Sequence, residues 1–222
     1  MKILVIGEAR DFEECKEKLG DGHAYSWVGE HREAEKFVKS NELVIDFIID
    51  EQPDEFEIYT AVDVTVLLNT CKISLAELSN SVNHQLQCTI FGFNGLPGFF
   101  NKPLLEVSLL NGQHAEKLNA LCGQLNTEYK VVDDRVGVVT PRVVCMIINE
   151  AYFTVLEGTA TRADIDKAMK LGTNYPHGPF EWCERIGVKH VYEVLEAVYE
   201  DTKDERYMIS PLLKKEYLNL SV

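Results

Sequence analysis

The sequence predicts a Rossmann-like α/β domain over residues 1–134, followed by an all-helical domain over residues 135–222. Three observations carry this. Short, nearly all-apolar runs recur between helical stripes through the first 134 residues, as the strands of a parallel sheet covered on both faces do. The first run, residues 2–7, is bounded by glycine and passes directly into a helical stripe, which is how a dinucleotide-binding fold begins. From Val143 onward the segments read as helices.

Each element has its own signal. Residues 2–7 form a short buried strand, and residues 11–19 then put Phe12, Cys15 and Leu19 on one helical stripe. Residues 25–28 read as a second strand and residues 33–38 as a short helix. Residues 43–49 are the third strand, apolar except for Asp46. Residues 62–68 are the fourth, and Ser74 with Glu77 three residues on reads as a capping box for the next helix. Residues 87–92 are the fifth strand, followed by a run rich in glycine and proline. Residues 114–125 are amphipathic, with Ala115, Leu118, Leu121, Cys122 and Leu125 on one side. Residues 128–132 are the last strand, and Asp133, Asp134 and Arg135 mark the domain boundary.

The helices of the second domain run over about 143–157, 162–171, 179–186, 189–200 and 211–218. Thr161 caps the second of them, with Asp164 where a capping-box acid would sit. In it Asp164, Asp166 and Lys167 face water, Ile165, Ala168, Met169 and Leu171 repeat on an apolar face, and Gly172 ends the helix. Pro179 suits the first turn of the next.

Composition bounds the function. Apolar residues are 45% and charged residues 26% of 222, the balance of an ordinary globular protein. No apolar run approaches the roughly 18 residues that span a bilayer, and the first six residues are too short for a signal-peptide core. The six cysteines are scattered, which suits a reducing cytoplasm and argues against a disulfide framework or a zinc ribbon. No metal-ligand spacing is visible among the six histidines. The net charge of −14 argues against nucleic acid and membrane surfaces as partners.

The region from Asn149 to Gly187 carries a resemblance. Its pieces are Asn149-Glu150-Ala151, Glu157-Gly158, Asp164-Ile165-Asp166, Ala168-Met169-Lys170-Leu171-Gly172, Pro176-x-Gly178-Pro179-Phe180 and Ile186-Gly187. In order and spacing they resemble the C-terminal domain of the 3-hydroxyacyl-CoA dehydrogenases, most of all the 3-hydroxybutyryl-CoA branch. The likeness reaches back more weakly to about Leu43. It implies hydride transfer between NAD and a 3-hydroxyacyl-CoA, with a His taking the hydroxyl proton while a Ser and an Asn hold the oxygen.

Carried over residue by residue, the resemblance meets departures. The family's G-x-G-x-x-G turn keeps Gly7 as a cofactor-binding position, but Ala9 and Phe12 replace the later glycines. Glu8 and Asp11 put negative charge where a diphosphate would dock, which argues against ordinary NAD binding. Glu30, roughly 20 residues past the turn, is placed to bind a ribose hydroxyl or is simply a solvated acid. The family's helical insertion after this point is missing, so the first domain is abbreviated. The family's S-N-T-S-S stretch keeps Asn69 and Thr70, and its substrate-touching serine falls on Cys71, a poorer hydrogen-bond donor. Counted back from the retained Glu106, the catalytic His falls on Asn94, whose amide cannot act as a general base near neutral pH. The catalytic Asn falls on Pro141.

Remnant catalytic positions are therefore Glu106, Asn94 and Cys71, and cofactor-binding positions are Gly7, Glu30 and Asn69, with NAD as the only implied cofactor. His177 reads as a solvated turn residue, and Trp182 and Cys183 read as core in preference to pocket lining. The 143–157 helix carries Val143, Val144, Met146, Ile147, Ile148, Phe153 and Leu156, more apolar surface than one half-buried face needs. With the resemblance, this points to a homodimer interface; the other reading is a helix buried within one subunit. The expected function is a degenerate homologue binding an acyl-CoA-like or other small ligand, or a partner. The alternatives are a working dehydrogenase with rearranged groups and a purely structural or interaction protein.

Overall fold

The computed structural model describes residues 1–220. The chain divides into two compact units, Met1–Val138 and Val139–Val222.

The first unit is built on a sheet of strands β1 (Lys2–Ile6), β2 (Ala24–Val28), β3 (Leu43–Asp46), β4 (Thr65–Asn69), β5 (Thr89–Phe93), β6 (Leu104–Leu109) and β7 (Glu128–Val132). Its spatial order is β2-β1-β3-β4-β5-β6-β7. Every pairing is parallel except β5 with β6. Helices α1 (Ala9–Leu19), α2 (His31–Val38), α3 (Glu57–Thr60), α4 (Leu75–Ser81) and α5 (Ala115–Gln124) accompany it.

Strand residues alternate between two faces, so the unit has two cores. Ile3, Val5, Ile45, Leu67 and Phe91 pack with Cys15 and Leu19 of α1 and Leu118 and Leu121 of α5. Leu4, Ile6, Val44, Val66 and Leu68 pack with Ala34 and Val38 of α2 and Leu75 and Leu78 of α4. These are the layers expected of a sheet covered on both sides.

Three sequence expectations need correcting here. The third strand ends at Asp46 instead of running on to 49. The Asp46 carboxylate accepts the Ile48 N–H at 3.0 Å, which turns the chain out of the sheet. The fourth strand begins at Thr65, three residues later than expected. Strand β6 was not foreseen: Pro103 and the glycine-rich run before it mask a short antiparallel return. Ser74 and Glu77 do form the expected reciprocal cap, and Asp134 adds to it by accepting the Leu75 and Ala76 N–H groups, both at 2.9 Å.

The second unit consists of α6 (Thr140–Leu156), α7 (Arg162–Thr173), α8 (Pro179–Ile186), α9 (Val188–Thr202) and α10 (Pro211–Asn219), with a 3-10 turn at Glu205–Tyr207. Cys145, Ile148 and Tyr152 of α6, Phe180 and Cys183 of α8, and Val191, Val194, Leu195 and Val198 of α9 are buried. Helix α7 departs from expectation in three ways. It runs through Gly172 and stops where Asn174 takes a left-handed conformation. Only Ile165 of its apolar face is buried, while Ala168 is exposed and Leu171 is 78% exposed. Asp166 does not simply face water: it caps α8, accepting the Phe180 N–H at 2.8 Å and the Glu181 N–H at 3.2 Å. No helix among the described residues is long and apolar enough to cross a membrane.

Candidate functional site

In an open parallel sheet, ligands bind beyond the carboxyl ends of the strands, where the strand order reverses. Here β1 connects to β2 on one side and its other neighbour is β3, so the reversal lies between the ends of β1 and β3. Gly7 follows β1 and Phe47 follows β3.

That place is filled by the chain itself. Gly7 has φ 153°, and a side chain there would meet Asp11 Oδ2 at 2.7 Å and the Phe47 Cβ at 3.0 Å. The Asp11 carboxylate turns back over the first turn of α1 and accepts the Glu8 N–H at 2.8 Å. Asp11 is 5% exposed, and burial pushes its pKa up to about 6, against the pull of the Glu8 hydrogen bond and Arg10. Phe47 packs edge-on against Phe93 and Phe100, with ring centroids 5.1 and 5.2 Å away. Phe12, at the third glycine's position, stacks on Trp27 of β2 at 5.7 Å, and the Trp27 indole N–H donates to the Gly7 carbonyl at 2.9 Å. Glu30 lies exposed just ahead of α2 and makes no side-chain cap.

Three other predicted positions come together beyond β4 and β5. Asn69, Cys71 and Asn94 are all buried. The Cys71 thiol donates to Asn94 Oδ1 at 3.5 Å, and the same oxygen accepts the Leu96 N–H at 3.2 Å. Asn69 Nδ2 donates to the Phe47 carbonyl at 2.9 Å. Asn69 Oδ1 accepts the N–H groups of Cys71 at 3.3 Å and Gly95 at 3.1 Å. Gly95 is needed there, because a Cβ would overlap the Asn69 side chain at 2.6 Å. Glu106 stands on β6, partly buried. The antiparallel register of β5 and β6 ends at Phe93 opposite Val107, so Asn94 and Glu106 are the next pair in line.

Residues 137–219 match the family described as 3-hydroxyacyl-CoA dehydrogenase, C-terminal domain. A 3-hydroxybutyryl-CoA dehydrogenase of Clostridioides difficile is 28% identical over 191 residues, covering 80% of this chain and 66% of that protein. The chain is a distant homologue of the 3-hydroxyacyl-CoA dehydrogenase family. An Escherichia coli 3-hydroxyadipyl-CoA dehydrogenase is 39% identical over 87 residues, covering 39% of this chain and 18% of that one. The matches thus span less than about two thirds of these relatives' lengths. The fold is that of a solved (S)-3-hydroxybutyryl-CoA dehydrogenase from Ralstonia eutropha, with a TM-score of 0.71 at 19% identity over 98% of this chain and 93% of that one.

The motif pieces shared with the 3-hydroxyacyl-CoA dehydrogenase family have local structural duties in the second unit. Asn149, 2% exposed, ties the segment before α10 to α6: its amide donates to the Met208 carbonyl at 2.8 Å and accepts the Ser210 N–H at 2.8 Å. Gly178 leaves room for Asp166, since a methyl there would overlap that carboxylate. Pro141 is buried in the first turn of α6. An open apolar groove of about 550 Å³ runs along α6, lined by Val143, Met146, Ile147, Ile165, Met169 and Tyr207 among others. His177 stacks edge-on against Trp182 at 4.9 Å.

Sequence reasoning registered Asp11 as unfavourable charge but missed that it folds back as a cap. The turn carries the signal in retrospect: Asp11 is three residues beyond Glu8, the spacing of a side chain that caps its own helix start. It also missed a buried network around His31, Asp46 and Tyr59. Only Asp46, a lone acid inside an apolar strand run, hinted at that.

Proposed function

We propose that this protein is a homologue of the 3-hydroxyacyl-CoA dehydrogenase family that does not perform the ordinary NAD-dependent hydride transfer. In this reading it binds an acyl-CoA-like or other small ligand, or a partner, as a homodimer formed through residues 143–157. The observation that carries it is the Asp11 carboxylate seated against Gly7 at the start of α1. A diphosphate needs that helix start and close approach to the glycine backbone. Asp11 takes both, and with a pKa near 6 it is mainly anionic at neutral pH. Phe47 further occupies the strand-order reversal. These residues do not fit NAD.

The chemistry points the same way. Asn94 takes the position of the proton-accepting His, and its amide oxygen is already engaged by Cys71 and Leu96. Losing a general base typically costs on the order of 10²–10⁴ in rate. The homodimer reading rests on the exposed apolar groove of α6, with Val143 54% exposed.

Titration with NADH, followed by nicotinamide fluorescence, tests this reading. No saturable enhancement is expected up to millimolar NADH, and saturable micromolar binding overturns it. One observation favours the alternative of a working dehydrogenase: Glu106 stands next in line opposite Asn94 in the β5–β6 register. Reduction of acetoacetyl-CoA by purified protein, abolished by Glu106→Ala, would establish that alternative. Light scattering tests the dimer: the expected mass is twice the 25.2 kDa of one chain, falling to one chain in Val143→Glu.

A further inference from the structure

The first unit holds a polar network outside the region discussed so far. His31, Asp46 and Tyr59 are at most 1% exposed. His31 Nε2 lies 2.7 Å from Asp46 Oδ2, and the Tyr59 hydroxyl donates to the same oxygen at 2.7 Å. Asp46 Oδ1 accepts the Ile48 N–H at 3.0 Å. Two of the carboxylate's partners, the Tyr59 hydroxyl and the Ile48 N–H, are donors to it. On the other side of the ring, His31 Nδ1 lies 3.1 Å from Gln52 Oε1. Both ring nitrogens therefore face oxygen acceptors, and only the doubly protonated ring can donate to both.

We propose that His31 is a buried imidazolium paired with Asp46, and that this pair makes the first unit sensitive to deprotonation as pH rises. The titratable and charged groups facing the ring are Asp46 from β3, Glu55 from the 3-10 turn at Pro53–Phe56, and Tyr59 from α3. Two effects oppose the charge: burial, and the position of His31 as first residue of α2, where the helix dipole disfavours a cation. The hydrogen bonds to Asp46 and Gln52 and the charges of Asp46 and Glu55 together outweigh burial, and the His31 pKa is raised. The pair ties α2 to the end of β3, one residue ahead of Phe47. Phe47 in turn holds its N–H on the Ile6 carbonyl at 2.9 Å and its Cβ against Gly7.

The sign of the effect follows. A group whose folded pKa is raised contributes stability below its unfolded value, about 6.5 for His, and loses it as pH rises through the folded value. The test combines long-range ¹H–¹⁵N NMR of the His31 ring with urea unfolding of the full chain at pH 6 and pH 9. Both ring nitrogens should be protonated at pH 6.5, and His31 should titrate above its ordinary range. The unfolding constant should rise about tenfold for each pH unit by which that titration exceeds 6.5. His31→Gln should abolish this pH dependence. Should that variant fail to fold, Tyr59→Phe serves in its place: freeing Asp46 Oδ2 of one donor should move the His31 titration higher. A ring with one unprotonated nitrogen at pH 6.5, as a turned-over Gln52 amide donating to Nδ1 would produce, overturns the proposal. So does a His31 titration below 6.5.

Discussion

Replacing Asp166 by alanine should unlatch the start of α8. The Asp166 carboxylate accepts the Phe180 and Glu181 N–H groups at 2.8 and 3.2 Å. These are two of the donors that a helix leaves unsatisfied at its first turn. Loss of a capping side chain costs typically about 1 kcal/mol, and a negative charge at a helix start adds about 0.3–1 kcal/mol. With two N–H groups stranded, the expected loss is about 2–3 kcal/mol. That is roughly 30- to 150-fold in the unfolding constant of the helical unit, by about 1.4 kcal/mol per factor of ten. Asp166→Asn keeps acceptor capacity and loses the charge, so it should cost about half as much. Amide hydrogen exchange reads the effect locally: Phe180 and Glu181 should lose protection in Asp166→Ala, while amides of the first unit are unchanged. Gly178→Ala should mimic the loss, because its methyl would displace the same carboxylate. A change below about 0.5 kcal/mol, the usual size for an uninvolved surface position, would refute the capping assignment.

Other outcomes follow from the same kind of argument. Gly7→Ala should destabilise the first unit by about 1–3 kcal/mol in urea unfolding, because φ 153° is strained for a side chain and the Cβ meets Asp11 and Phe47. Asp11, with a pKa raised to about 6 from an unfolded value near 3.9, adds stability that is fully present below about pH 4 and lost by about pH 6. Asp11→Asn keeps the acceptor for the Glu8 N–H and removes that dependence, so it should be more stable than wild type at pH 7 by on the order of 1–3 kcal/mol. Tyr152→Phe should cost about 1–2 kcal/mol, since the buried hydroxyl donates to Glu216 at 2.6 Å. It should also speed proteolytic removal of α10, which that bond helps to hold.

The fold was legible because its signals are local. The alternation of Ile3 and Val5 against Leu4 and Ile6 is a strand buried on both faces, whatever surrounds it. Pro179 opened its helix where expected, and the Ser74–Glu77 cap formed as its spacing required. Errors arose where a distant partner decides the outcome. The third strand ends early at Asp46, whose carboxylate takes the Ile48 N–H while it is also held by His31 and Tyr59, 15 and 13 residues away. Asp166 looked solvated because its partners lie 14 and 15 residues on, in another helix. Strand β6 pairs antiparallel in an otherwise parallel sheet, across a glycine-rich run that periodicity does not bridge. Asn69, Cys71 and Asn94 entered only through family resemblance. Their meeting in one buried cluster depends on β4 and β5 lying side by side, which no spacing of 23 residues between Cys71 and Asn94 reveals.

The turn of Asp11 onto the start of α1 changes what this part of the protein owes to its surroundings. A dissolved ligand stabilises a fold by mass action, as RT ln(1 + [L]/Kd), so its contribution rises and falls with concentration. A carboxylate three residues along the chain is never diluted. Its attachment acts as an effective concentration that metabolism cannot alter. The first turn of α1 is thereby ordered at any level of cofactor in the cell, and its only external variable is the proton.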